Sequence, residues 1–369
     1  MKITGIKQSR HRLPLDPPFV PSWDTRPRHH FDLDLVRVET DEGLCGFGAG
    51  DSMAGFAGHE DLFIGQDPMN LDRHARVIEN ISFHHGRCWP LDIALWDLAG
   101  KILGQPVWRL LGGHSNKVRV YASSGSLRSP DELVELALSV RDAGMEAMKV
   151  RFHRPHWRED IAILEKLRTA IGDRLELMVD CNQGWRMPWD TAQPWTLKEA
   201  TTVARELEKL AVYWMEEPLH RGDYRGMQQL RAQTDIRIAG AEMTRELHEI
   251  RHLIEARCLD VIQPDAAVTG GLSGLSRIAR MAIDSGLAFT PHTWGHGIGL
   301  MANAHLAAGV AGSAFLELPH DPPVWTAERR DFGLTVPIKP NKEGWVELTD
   351  NPGLGLELDE NLLANTRVN

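Results

Sequence analysis

LELMVDCN at residues 175–182, VYWMEEP at 212–218 and IRIAGAE at 236–242 decide how this chain folds. Each is a short, β-rich apolar run that ends in carboxylates, and longer amphipathic stretches separate them. Working outward, the same kind of run recurs at VRVYASSG (118–125), AMKVR (147–151), LDVIQPDAAV (259–268), LAFTPHT (287–293) and AFLELP (314–319). Between runs, Ile161, Leu164, Leu167 and Ile171 return at the helix period, as do Leu247, Ile250, Leu253 and Ile254. Gly144, Gly172 and Gly286 stand where helices end. This alternation of eight strands with seven helices, at about 25–35 residues per unit, predicts an α/β fold, a (β/α)7β TIM-like barrel. The competing open doubly wound sheet carries a Gly-rich phosphate turn after its first strand, and SSGSLRSP (123–130) matches that poorly.

The first 116 residues read differently. FDLDLVRVET (31–40) and GLCGFGAG (43–50) predict an antiparallel hairpin, followed by helices over 70–81 and 90–103. Residues 320–369 are irregular and rich in Pro and Gly. We therefore expect an α+β capping domain built from 1–116 and completed by 320–369, over a barrel of residues 117–319. Residues 16–32, with Pro17, Pro18, Pro21, Trp23, Arg26, Arg28, His29 and His30, read as a long loop placed to serve as a lid. Arg26 and His29 are its candidates for substrate contact.

The 369 residues are 42% hydrophobic and 25% charged, enough for one large core and a smaller one. No apolar run reaches the roughly 18–20 residues of a membrane span, and MKITGIKQSRHRLPL lacks the apolar region of a signal peptide, so a cytoplasmic protein is expected. Cys45, Cys88, Cys181 and Cys258 form no CxxC pair, which argues against disulfides and thiolate zinc sites. A formal charge of -10 argues against a nucleic-acid partner. It does not exclude a small anionic substrate, because a bound metal inverts the local field.

In such barrels the active site lies at the C-terminal strand ends. There the successive runs place Lys149 and Arg151, Asp180 and Asn182, Glu216 and Glu217, Glu242, Asp265, His292 and Glu317. A single charge at a strand end is usually just solvated, but seven consecutive strands converge on one mouth. Carboxylates from three adjacent strands repel unless a cation neutralises them. All-oxygen ligation suits a hard ion, Mg²⁺, whereas zinc would recruit His or Cys. His292 with Asp265 reads as a base and its orienter. Lys149 can exchange protons if neighbouring cations depress its pKa; Arg151 is an electrostatic group or carboxylate clamp. Glu317 is a candidate donor to a substrate carboxylate if protonated, and His153, His156 and His296 are further acids near the mouth. A divalent metal with bases on two sides suits removal of a proton α to a carboxylate, through an enediolate.

DIALWDLAGKILGQPVWRLLGG (92–113), the Lys-x-Arg pair, VDCNQGW, WMEEP, GAE, QPDAAVTGG, PHTWG, FLELP and NPGLGLELDE (351–360) occur in an order and spacing that resemble the mandelate racemase subgroup of the enolase superfamily. The resemblance covers nearly the whole chain. It implies Asp180, Glu216 and Glu242 as Mg²⁺ ligands, selecting Glu216 over Glu217. It also implies the Asp265–His292 dyad as general base and a symmetric homo-oligomer. The family's second strand usually carries Lys-x-Lys, and Arg151 replaces the second Lys. That departure tells against a two-base racemase unless Lys149 takes the missing role, and the leading expectation is a one-base reaction: dehydration of a sugar acid, an aldonate or aldarate, to a 2-keto-3-deoxy acid. Asn182 and Trp294 join Arg26 and His29 as expected substrate contacts. A sugar-lactone cycloisomerase or racemase is the alternative within the family. Outside it stand a Schiff-base lyase using Lys149 and a non-catalytic barrel.

Overall fold

Strand β1 (Ile3–Phe19) runs antiparallel to β2 (Arg28–Thr40), which runs antiparallel to β3 (Cys45–Gly50). The structure is a computed structural model in which residues 1–50, 52–310 and 312–368 are described. β2 divides its apolar side chains between two cores, as strand alternation requires. Leu33 and Leu35 join the barrel core, while Val36 and Val38 pack with Ile3 beneath helices α1 (Leu71–His85) and α2 (Pro90–Leu103). The glycines of CGFGAG let α2 lie directly on β3. A Cβ on Gly46 would fall 2.3 Å from the Ala94 carbonyl oxygen, and one on Gly48 2.2 Å from that of Pro90.

Two buried carboxylates of α2 clip this layer down. Asp92 accepts from the Ser273 hydroxyl (2.7 Å) and backbone N–H (3.0 Å). Asp97 accepts from Phe47 N–H (2.9 Å), Leu354 N–H (2.8 Å) and the Lys101 ammonium (2.7 Å). Buried carboxylates need such donors, and here the donors come from barrel, cap sheet and C-terminal tail. A short helix, α3 (Val107–Leu110), leads into the barrel.

The barrel alternates β4 (Lys117–Ser123), α4 (Pro130–Asp142), β5 (Ala147–Arg151), α5 (Trp157–Ile171), β6 (Glu176–Asp180), α6 (Leu197–Lys209), β7 (Trp214–Glu216), α7 (Tyr224–Gln233) and β8 (Arg237–Gly240). It continues with α8 (Leu247–Glu255), β9 (Val261–Ile262), α9 (Gly271–Asp284), β10 (Ala288–Phe289), α10 (Gly297–Val310) and β11 (Leu316–Pro319). Parallel pairing runs in the order β11-β4-β5-β6-β7-β8-β9-β10, the order of a (β/α)7β barrel. Among the described residues no ladder joins β10 to β11. The seam is bridged instead by Ser313 Oγ to Phe289 O (2.6 Å) and Thr293 N to Glu317 Oε2 (2.9 Å). Every expected strand is present, though the paired residues are fewer than the apolar runs, because both faces of a barrel strand are buried whether or not it is paired. Capping boxes at Ser129/Glu132 and Thr196/Glu199 start α4 and α6.

Two expectations change. The loop expected over 16–32 is shorter, because strands enter it from both sides: Pro14 pairs with His30 and Phe19 with Arg28 across a register shift, leaving 20–27 as the connection. The tail of α11 (Ala327–Arg330), β12 (Trp345–Glu347), α12 (Glu360–Thr366) and β13 (Arg367–Val368) serves both layers rather than the cap alone. β13 pairs with β1, whereas β12 pairs antiparallel with barrel strand β4.

α10 is buried along its whole length, since α3 and β3 cover the side a barrel helix normally shows to solvent. Its His305 accepts from Trp108 N–H at Nδ1 (3.0 Å) and donates from Nε2 to Leu354 O (3.1 Å). Accepting at Nδ1 needs the neutral ring, and burial pushes its pKa down to about 4. The unfolded chain takes up a proton near pH 6.5 that native His305 refuses. Its contribution is therefore complete above that pH and lost as pH falls toward 4, on the order of 3 kcal/mol. His305→Asn is expected to lower the urea midpoint at pH 7.5 yet flatten its decline between pH 6.5 and 4.5. A variant with the parent's pH slope would remove His305 from the account.

Candidate active site

Parallel register brings the acidic strand ends together. Arg151 pairs with Asp180 across β5–β6, and Asp180 with Glu216 across β6–β7. Glu242 follows β8, and one ligand oxygen from each of Asp180, Glu216 and Glu242 lies within 4.8 Å of the others. All three are buried. Glu217 turns aside at φ +46° and lies against Gly184 instead.

The surrounding donors hold each ligand. Asp180 accepts from Asn182 N–H (2.9 Å) and pairs with Arg151. Glu216 accepts from Lys149 (2.6 Å), Gln263 (3.0 Å) and Trp214 (3.2 Å). Burial, Asp180, Glu317 and Glu242 together push Glu216 well above the usual carboxylate range, against the pull of Lys149. Charge counting gives the reason. Five buried carboxylates at this mouth (Asp180, Glu216, Glu242, Asp265, Glu317) face two fixed cations, Lys149 and Arg151. Glu217 lies buried beside them, so even with His292 protonated negative charge is in excess at the strand ends, which a divalent ion would offset. An all-oxygen donor set of three carboxylates suits Mg²⁺.

Lys149 lies deep among the anions of the mouth. Its ammonium lies 2.6 Å from Glu216, 2.7 Å from Glu317 and 3.6 Å from Asp180, with no exposure to solvent. Burial would lower its pKa, but these carboxylates outweigh burial and Arg151, and hold it above the ordinary value. The expected depression rests on Arg151 together with bound Mg²⁺, and the three anions around the ammonium oppose it. Glu317 likewise accepts rather than donates: Ser123 Oγ–H (2.7 Å) and Thr293 N–H (2.9 Å) point at its oxygens. Burial pushes it up, and Lys149, His292 and Arg151 pull it below the usual range. Arg151 donates to Ser124 O (2.7 Å) and Ser123 Oγ (3.3 Å), and its guanidinium lies 4.7 Å from the Trp23 ring and 5.6 Å from that of Trp294.

Opposite Lys149 and Arg151, His292 Nδ1–H donates to Asp265 (3.1 Å), leaving Nε2 3.5 Å from Glu242 and 3.9 Å from Glu317. Burial lowers its pKa, but Glu242, Glu317 and Asp265 together raise it to about 10. Asp265 is itself oriented: its Oδ1 accepts from Asn303 Nδ2 (2.8 Å) and Ala267 N–H (2.8 Å), which leaves Oδ2 for the imidazole. Asn303 was not among the expected residues. Its signal was a polar side chain within the apolar helix GLMANAHLAAG, where a buried amide demands partners.

A cavity of about 270 Å³ opens over these groups. Asn182, Trp294, Arg151 and His292 line it, as expected. Arg26 and His29 do not. Both are exposed, and Arg26 stacks 4.1 Å over Trp189. Because β2 already begins at Arg28, alternation directs Arg28 inward and His29 out. Arg87, from the turn after α1, lines the cavity too and nothing in its sequence context marked it. Of the other histidines, His156 is exposed, His153 bonds Ser22 O (2.5 Å), and burial pushes His296 down to about 4.

Fold and site together define a carboxylate-triad barrel enzyme with a His–Asp dyad. Residues 4–112 match the mandelate racemase/muconate lactonizing enzyme N-terminal domain, and residues 132–362 the enolase C-terminal domain-like family. The chain belongs to the mandelate racemase/muconate lactonizing enzyme family of the enolase superfamily. It is 28% identical to an L-talarate/galactarate dehydratase of Salmonella typhimurium, over 94% of this chain and 92% of that one. It is 29% identical to a D-galactarolactone cycloisomerase of Agrobacterium fabrum, over 100% and 99%. A Streptomyces coelicolor racemase solved with bound magnesium superposes with a TM-score of 0.86 at 25% identity, over 99% and 100%. These relatives carry the names of three different reactions.

Asn303→Leu removes one of the two donors holding Asp265. We expect turnover to fall roughly tenfold to a hundredfold, the range of a lost hydrogen bond to a charged group, with Mg²⁺ affinity kept. Calorimetric Mg²⁺ titration beside steady-state rates checks this; unchanged turnover would take Asn303 out of the dyad's support.

Proposed function

We propose that this chain catalyses Mg²⁺-dependent dehydration of a sugar acid to a 2-keto-3-deoxy acid. One observation carries the reading: apart from the metal ligand Glu242, His292 is the only proton-transfer group lining the cavity among the described residues. Lys149 is sealed behind it among carboxylates, and Arg151 does not give up a proton. A racemase needs bases on both faces of the α-carbon, whereas β-elimination needs one. Bound by Asp180, Glu216 and Glu242, Mg²⁺ supplies positive charge that acidifies the α-proton and offsets the negative charge developing on the substrate carboxylate.

The Glu242 charge that raises the His292 pKa would be offset by the Mg²⁺ held by the triad, so that a neutral Nε2 takes the α-proton and Asp265 holds the imidazolium that results. The imidazolium then returns that proton to the departing β-hydroxyl, so water leaves and the enol tautomerises to the keto acid. Arg151, fixed between Trp23 and Trp294, presents positive charge to the substrate from the opposite side. Arg28 and Arg87 bring two more guanidiniums from the cap onto the cavity, although Asp24 lies 3.7 Å from Arg28. A second carboxylate at the far end of the substrate matches them, which favours an aldarate over an aldonate.

A panel of aldarates and aldonates incubated with Mg²⁺ and semicarbazide tests the reaction. An aldarate is expected to yield a trapped 2-keto acid, and His292→Asn to reduce the rate at least about a hundredfold. α-Deuterium exchange in D₂O without keto acid would replace dehydration by an isomerase reaction of the cycloisomerase or racemase kind.

A further inference from the structure

The ligands of the triad are not held in the same way. Asp180 and Glu216 take their donors from strands and strand ends: Asn182, Arg151, Lys149, Trp214 and Gln263. Glu242 takes its hydrogen bond from a loop, since Trp185 Nε1–H donates to its Oε1 at 2.8 Å. The other oxygen, Oε2, faces the mouth beside His292 Nε2 at 3.5 Å.

Trp185 is well placed to fix that geometry. Next to it, Arg186 donates to Asn182 O and to Gln183 Oε1 (2.8 Å), and Trp195 N–H reaches the same Gln183 oxygen (3.1 Å). Further along, Trp189 Nε1–H donates to Asp24 of the cap connection at 3.0 Å. The loop of residues 183–196 is thus tied at both ends of its Trp-rich stretch. The indole also stands between two spaces, lining the 270 Å³ cavity on one side and, on the other, a cleft of about 530 Å³ that includes Arg221 and Arg245. A neutral N–H on one carboxylate oxygen fixes the plane of the carboxylate and leaves the second oxygen for a cation. It adds no positive charge to compete with that cation.

We propose that Trp185 is a positioning residue for the metal ligand Glu242 and sets the affinity of the triad for Mg²⁺. The inference rests on the reading of Asp180, Glu216 and Glu242 as the Mg²⁺ site. Trp185 touches neither ion nor reacting atoms; it acts through Glu242.

The test is calorimetric titration of MgCl₂ into the EDTA-stripped full chain, independent of any substrate. Trp185→Phe keeps most of the ring and deletes the N–H. It is expected to bind Mg²⁺ roughly tenfold more weakly than the parent, the lower end of the range for lost outer-shell partners, while melting with the parent in EDTA. Should Trp185→Phe fold poorly, benzothienylalanine at position 185 replaces the N–H by sulfur within the same ring shape and is expected to show the same loss. Parent-like affinity in a folded variant of either kind overturns the role of Trp185 while leaving the metal site standing. A parent chain that shows no Mg²⁺ binding overturns the metal site itself, and this inference with it.

Discussion

The structure depends on an electrostatic deficit at the barrel mouth. Carboxylates from successive strands are drawn out of water around the buried cations Lys149 and Arg151, which they outnumber, and burial makes each unpaired negative charge expensive. A divalent ion closes that deficit, and the rest of the mouth is arranged around it. Lys149 neutralises Glu216 and Glu317 from behind, Arg151 neutralises Asp180 from the side, and His292 stands where Glu242 and Glu317 draw positive charge toward it. The same balance separates the two candidate bases. Carboxylates surround the Lys149 ammonium and keep it charged, whereas one nitrogen of His292 is bound by Asp265 and the other faces the cavity.

The cap completes this mouth rather than merely covering it. Trp23 from the connection between β1 and β2 stacks with Arg151, and Trp294 from the loop after β10 closes the other side. Trp23 and Trp294 also meet edge to face, with ring centres 4.8 Å apart. Asp92 and Asp97 hold the layers in that relation through buried hydrogen bonds. In this arrangement the chemistry belongs to strand ends and the shape of the cavity to the loops and cap.

Legibility in the sequence followed from local periodicity. Barrel strands are buried on both faces and read as apolar runs, so the strand over 147–151 is seen in full. The residues that end such runs must reach the mouth, which made the triad, His292 and Asp265 visible before any coordinates. The cap was harder. A proline-rich stretch reads as loop, yet β1 runs to Phe19, because a register shift absorbs the prolines that cannot donate to the ladder. Arg28 rather than Arg26 or His29 reaches the cavity, for the start of β2 sets which side chain faces inward.

What the chain determined by itself is the alternation of strand and helix, the order of acidic strand ends and hence a three-carboxylate metal site at one mouth. These are properties of neighbours in sequence, repeated unit by unit. What tertiary structure alone decided is the state and purpose of each charge. Lys149 became a counter-ion because three anions from β6, β7 and β11 converge on it. Glu317 became an acceptor for the same reason, and Asn303 and Trp185 acquired partners 38 and 57 residues away. Electrostatic interactions fall off with distance in space, not along the chain, so no local pattern encodes their sum.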